Sequence, residues 1–170
     1  VFNQQRDFMS AMVHVRALDE RNGEGGRRLM ELAQVAAKNG DLETAYECYA
    51  LVSAQGKQAP RYAQARQAML GVLTEQVTGQ FPLDTAAALD LADQYRTTLR
   101  DLGETPKTAG LMADWARLLA FHLDDAAAAQ TLLDRAVDMP GLPLDIKSRI
   151  KLDLGDCLLY TSDAADEGWC

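Results

Sequence analysis

The chain has 170 residues, 48% of them hydrophobic, which is enough apolar material for a folded core and excludes an intrinsically disordered chain. Only 6% are aromatic and β-branched residues form no runs, so the composition favours helices packed through small side chains over a sheet. The net charge of −8 argues against binding to nucleic-acid phosphates or to an anionic membrane surface, and no apolar stretch is long enough to insert into a membrane.

Prolines and glycines divide the chain into segments in which apolar residues recur at helical spacing, and no segment alternates apolar and polar residues as a strand would. Pro60, Pro82 and Pro106 predict helix starts, because proline is tolerated in the first turn of a helix and disruptive further in. Thr105 is the predicted cap of the helix that begins with Pro106. Eight helices are predicted, near residues 3–21, 27–39, 42–55, 60–78, 83–102, 106–123, 125–138 and 143–156.

The segment 32–49 carries a compact set of signals. Gly40-Asp41 separates two helices, Ala45 follows four residues after Asp41, and Tyr49 follows four residues after Ala45. This segment resembles the core of a tetratricopeptide repeat (TPR). The resemblance implies that the small Ala45 lets two antiparallel helices approach closely and that Tyr49 fills the groove one turn later.

A looser second unit and the start of a third follow. The units recur about every forty residues, compared with about 34 in the family. The segment 107–156 also resembles repeat proteins of Bacteroidota-type bacteria. The resemblance as a whole implies an all-α fold of antiparallel helical hairpins, stacked as a TPR-like superhelix, or α-solenoid. The second unit has small and large residues at the equivalent positions Ala116, Ala120, Asp125, Ala129, Leu133 and Ala136.

The C-terminal residues Cys157 to Glu167 resemble the in-frame translation of a sequencing adapter. We therefore expect residues 157–170 to be a non-native tail and residues 1–156 to form a single helical-repeat domain. Because the chain begins with Val1 rather than Met, we expect a fragment truncated at both ends, and the compartment, cytoplasmic or exported, stays open. The apolar face of residues 144–154 is then expected to be exposed or covered by the tail.

The resemblance implies that the first helices of the hairpins line a concave groove that binds a protein or peptide partner. By position, Arg27, Gln34, Lys38 and His122 would face this groove. Two other hypotheses stay open: a structural spacer within a larger protein, and a helical accessory domain of an enzyme or regulator whose active part lies elsewhere.

No constellation of residues indicates catalysis, so we predict neither an enzyme nor a cofactor or metal site. Cys48 lies within a packing face and has no obvious base nearby, and His122 has only Asp125 at ligand spacing. The glycine-rich segment 23–28 lacks the Lys-Ser/Thr ending of a phosphate-binding loop and predicts an inter-helix turn, although its two arginines could bind an acidic partner. Aromatic pairs such as Tyr46 and Tyr49 are predicted to be core.

Overall fold

A computed structural model describes the backbone of residues 2–166 and the side chains of residues 7–157 and 159. The described backbone is all-α, as predicted, and holds eight helices and no strand. Most of the helix–helix contacts join helices that follow one another in the chain, which is consistent with a helical repeat. The helices are α1 (Phe2–Asn22), α2 (Arg27–Lys38), α3 (Leu42–Ser53), α4 (Tyr62–Thr78), α5 (Thr85–Leu102), α6 (Ala109–His122), α7 (Ala126–Val137) and α8 (Leu144–Asp166).

The predicted proline starts of α4, α5 and α6 are wrong by two or three residues. Each proline lies in the turn before its helix. For α5 the physical reason is Asp84, whose carboxylate accepts hydrogen bonds from the amides of Ala86 and Ala87 at 3.0 and 3.2 Å and so fixes the first turn. For α6 the cap position is Thr108 rather than Thr105, and the Thr108 hydroxyl donates to the Gly103 carbonyl at 2.7 Å instead of capping the helix.

The chain divides into two compact units, with the boundary between Gln76 and Val77. In unit 1, α2 contacts both α1 and α3, and α1 also contacts α3. Alanines at the α2–α3 interface have no exposed surface, which allows the two helix backbones to approach closely. The buried core of unit 1 consists of Leu29, Met30, Ala33, Ala36, Ala45, Cys48, Tyr49, Val52, Ala65, Met69 and Val72.

The first turn of α2 is capped by a residue from a different helix. Its N-cap residue, Gly26, has no side chain and adopts a left-handed conformation with φ of 81°. Asp19, on α1 and only 3% exposed, supplies the missing acceptors. Its two carboxylate oxygens accept hydrogen bonds from the amides of Arg28 and Leu29 at 3.1 and 3.0 Å. These bonds satisfy two amides that would otherwise lack a partner and fix the end of α1 against the start of α2.

The turn between α2 and α3 depends on Gly40 and Asp41. Gly40 has a φ of 79°, a conformation that glycine adopts without strain. Asp41 is buried, and its carboxylate accepts hydrogen bonds from the amide of Thr44 at 3.1 Å and from its hydroxyl at 2.7 Å. Ala45 and Tyr49 follow on the buried face of α3. The turn therefore caps α3 and directs its packing face onto α2.

In unit 2, α6 contacts α5, α7 and α8. Asp125 caps α7 by accepting a hydrogen bond from the Ala128 amide at 3.0 Å, and Ala129 and Ala136 are fully buried. α8 continues beyond Asp156, the predicted end of the natural sequence. It buries Ile150 and Cys157, while the side chains of Leu144, Leu152 and Leu159 are exposed.

Charged residues join α6 to α8. Arg149 donates to Asp114 at 2.8 Å, Arg117 also pairs with Asp114, and Arg117 Nε lies 3.8 Å from Asp153 Oδ1. The side chain of Asp153 is 13% exposed, and its Oδ2 has no hydrogen-bond partner among the described residues. Burial therefore raises the pKa of Asp153, and the attraction of Arg117 and Arg149 only opposes this effect.

We predict that Asp19→Ala opens the first turn of α2. The substitution leaves the amides of Arg28 and Leu29 without their acceptors, at a cost of about 2 kcal/mol. Amide hydrogen exchange at these two residues should accelerate by roughly 30-fold, the factor that corresponds to this energy. Glu20→Ala is the control, because it removes only the exposed ion pair with Arg16. Equal exchange rates in the two variants would contradict the capping role of Asp19.

We predict that Asp153→Asn raises the thermal midpoint near neutral pH. A carboxyl group whose folded-state pKa is raised contributes stability below its unfolded pKa and loses that contribution as the pH rises through the folded value. The ionised Asp153 is therefore unfavourable at pH 7, and the advantage of the Asn variant should shrink as the pH falls toward about 4. Thermal unfolding of both proteins at pH 7 and near pH 4 measures this difference in midpoint. Asp90→Asn, at an exposed position, is the control; an advantage that does not depend on pH would disprove the assignment.

Candidate functional site

Three of the four predicted partner-binding residues lie on one face of α2. Arg27, Gln34 and Lys38 are exposed and are spaced by seven and four residues, so they form a stripe on the side of the helix away from the core. Val35 lies next to Gln34 and Lys38 and is 49% exposed. We refer to Arg27, Gln34, Val35 and Lys38 as the α2 stripe.

The arginines at the start of α2 are engaged in ion pairs. Arg27 donates to Glu24 at 2.8 Å and to Glu31 at 2.7 Å, and Arg28 donates to Glu24 at 2.9 Å. The hydrogen bond from Arg28 is the largest effect on Glu24 and holds the pKa of its carboxyl below the ordinary value. The guanidinium groups are therefore compensated within the chain, and Lys38 is the cation of the stripe for which the structure shows no such pairing.

His122 belongs to unit 2, where it is the last residue of α6 and is half-buried. Asp125, the nearest predicted ligand, is the cap of α7. Within the part of the chain that the structure describes, no group of three or more His, Cys, Asp or Glu residues is arranged to hold a metal ion.

A groove between α1 and α3 was not predicted from the sequence. One cavity of about 450 Å³ lies between the end of α1, the loop that follows it and the end of α3. A neighbouring cavity of about 480 Å³ lies further toward the start of both helices. The cavities share Arg16, Leu51 and Ala54, so they form one continuous depression, which we call the α1–α3 groove. The predicted residues Arg27, Gln34 and Lys38 do not line it.

The glycine-rich loop between α1 and α2 shapes the end of the α1–α3 groove that lies nearest the C-terminus of α1. Arg61 holds this loop in place, because its Nη1 donates to the carbonyls of Glu24 and Gly25 at 2.8 and 3.2 Å. Gly26 packs so closely on α3 that a Cβ atom there would lie 2.7 Å from a methyl carbon of Val52. The close approach brings Leu29 of α2 to the bottom of the groove.

Sequence reasoning missed this groove because its residues carry no motif. Met12 and Arg16 are separated by roughly 30 residues from Glu47 and Leu51, and only the contact of α1 with α3 makes them neighbours. Asp19 gave a partial signal, since an acid amid apolar helix positions needs a partner when it is buried.

The cysteine of α3 is not accessible to reactants. Cys48 has no exposed surface, and burial together with the nearby charges of Glu47 and Asp41 raises the pKa of its thiol to about 12. A thiol needs to ionise to act as a nucleophile, so Cys48 is a packing residue in this environment.

Comparison with known proteins gave no match: no family model, no curated protein and no solved structure is similar to this chain. No helix among the described residues combines the length and the apolar character needed to cross a bilayer.

We predict that Gly26→Ala destabilises the chain more than Gly40→Ala. Both glycines have a positive φ, so both substitutions introduce backbone strain of about 1 kcal/mol. At Gly26 the new methyl group also displaces Val52, whereas at Gly40 no atom lies within 4 Å of the new Cβ position. The added cost of overpacking at Gly26 is about 1–3 kcal/mol.

Urea unfolding of the two variants measures this difference. A double-mutant cycle with Val52→Ala should then recover part of the loss at Gly26 and none at Gly40. Equal destabilisation by the two glycine substitutions would show that the contact between the loop and α3 is loose.

Proposed function

We propose that this chain is a protein-interaction scaffold of the TPR-like type, which binds a protein or peptide partner. The observation that supports this proposal best is the α2 stripe: Gln34, Val35 and Lys38 are exposed on a helix whose opposite face is fixed in the core. A rigid helix with exposed polar side chains beside an apolar one offers a partner both hydrogen bonds and apolar contact.

The turn between α2 and α3 supports the TPR-like part of the proposal. Gly40 has a positive φ, Asp41 caps α3, and Ala45 and Tyr49 pack in the core, in the order that the family resemblance implies. In the proposed superhelix each hairpin stacks on the next, and the α2 stripe lies on the first helix of its hairpin.

Four capping acids and the Cys48 thiol have structural roles, which supports binding rather than catalysis for these groups. Asp41, Asp84 and Asp125 cap helices, Asp19 caps α2 from α1, and Cys48 is buried with a raised pKa. These groups are engaged in holding the fold. A structural spacer has the same engaged groups, and the two functions differ in whether the α2 stripe binds a ligand.

A peptide-display selection against the full chain tests the proposal. Selected peptides should bind Gln34→Ala/Lys38→Glu at least about tenfold more weakly than the original chain, because the variant removes the polar contacts of the stripe and reverses its charge. Lys151→Glu is the charge-matched control, since it makes the same change at an exposed position of α8.

Fluorescence anisotropy with each labelled peptide gives the affinities. Peptides that bind all three proteins equally, or a selection that enriches none, would favour the spacer. A loss in His122→Ala as well would extend the binding surface to unit 2.

A further inference from the structure

The α1–α3 groove has an apolar interior. Leu29 lies at its bottom, Leu51 and Ala54 line its whole length, and Met12 and Ala50 line the end toward the start of α1. Met9 and Val13, 39% and 65% exposed, lie on the same face of α1 as Arg16, because they precede it by seven and three residues. The apolar surface therefore extends from the groove along α1, and an apolar ligand face would bury it.

The charged rim of the groove is acidic. Three carboxylates line it, from Asp19, Glu20 and Glu47, together with the single guanidinium of Arg16. Arg16 donates to Glu20 at 2.9 Å and so compensates one of the acids. Asp19 is buried and bonded to the start of α2, which leaves Glu47 as the half-buried acid on the α3 side.

From this combination we infer that the α1–α3 groove is a second binding surface, which accepts an amphipathic helix whose polar face is basic. Apolar side chains of such a helix would fill the groove between α1 and α3, as in other helix-in-groove complexes. Its Lys or Arg side chains would lie along the rim and meet Glu47. An acidic helix of the same shape would meet like charge there.

The dimensions of the groove match a short helix. From Met12 to Glu20 the rim follows α1 for about 12 Å, at 1.5 Å per residue, which corresponds to roughly two turns of a docked helix. The loop that Arg61 anchors closes the end of the groove nearest the C-terminus of α1. The groove is thus formed within unit 1, at a different place from the α2 stripe, so the two proposals stand or fall separately.

Two fluorescein-labelled peptides of about sixteen residues serve as probes. Both carry leucine at the same helical positions i, i+3, i+4 and i+7, and the remaining positions are mainly lysine in one peptide and glutamate in the other. Anisotropy titrations use the full chain at 0.1 M salt and again at higher salt. We expect the lysine peptide to bind at least about tenfold more tightly than the glutamate peptide.

Four variants locate the binding site of the lysine peptide. Glu47→Lys should weaken binding by about tenfold, while Glu75→Lys, the same charge change at an exposed position of α4, should change it by less than about twofold. Ala54→Trp fills the groove without changing the charge and should also weaken binding by about tenfold. Glu47→Gln, a milder change, should give an intermediate loss, and circular dichroism shows that each variant is folded.

Four results would overturn this inference. Equal losses from Glu47→Lys and Glu75→Lys would mean that the lysine peptide responds only to overall acidity. Unchanged affinity in Ala54→Trp would place the peptide outside the groove, and a selective gain of affinity in Lys38→Glu would place it on the α2 stripe. Sedimentation of the unlabelled chain gives the fourth: self-association that Ala54→Trp abolishes would make a second copy of the chain the occupant.

Discussion

The two hydrogen bonds that the Asp19 carboxylate accepts from the first turn of α2 hold α1 and α2 of unit 1 in their arrangement. A helix start leaves several amides without partners, and α3, α5 and α7 satisfy some of theirs with an acid at their own N-cap position, Asp41, Asp84 and Asp125 respectively. At α2 the N-cap is Gly26, and the acceptor comes from α1 instead. The cap is therefore also a tertiary contact, and it fixes the end of α1 relative to the start of α2.

The use of Asp19 from α1, in place of a side chain at the N-cap position of α2, has a steric reason. Gly26 lies against Val52, so no side chain of its own could occupy that place. The same close approach draws the end of α3 toward the loop, and Arg61 then holds the loop from the other side by bonding to the carbonyls of Glu24 and Gly25. The α1–α3 groove is the space left between helices whose separation these contacts set. Of the acids that line it, Asp19 is bonded to the start of α2 and Glu20 to Arg16, so Glu47 of α3 carries its negative charge.

Unit 2 is held together by a different balance of interactions. Its α6–α7 pair packs through alanines and leucines, including Ala129 and Ala136. The α6–α8 contact adds Arg117 and Arg149 to this apolar packing, with Asp114 and Asp153 as their partners. The side chain of Asp153 is 13% exposed and has an incomplete set of hydrogen bonds, so its charge is only partly compensated and this contact is sensitive to pH.

The sequence by itself determined the all-α class, the number of helices and the glycine and proline turns between them, because helical periodicity and backbone preferences act within a few residues. It placed the starts of α4, α5 and α6 too early, since the prolines were taken as the first helical residues where Asp84 and Thr108 set the boundary. The family resemblance points to Gln34 and Lys38 as groove residues, and the structure places both on the exposed face of α2. Only the tertiary structure decided that Asp19 caps α2, that Arg27 is compensated by Glu24 and Glu31, and that Met12 and Glu47 line one groove. Each of these depends on how closely two helices approach, and that distance is set by the packing of whole side chains, such as Val52 against Gly26, which no local pattern in the sequence records.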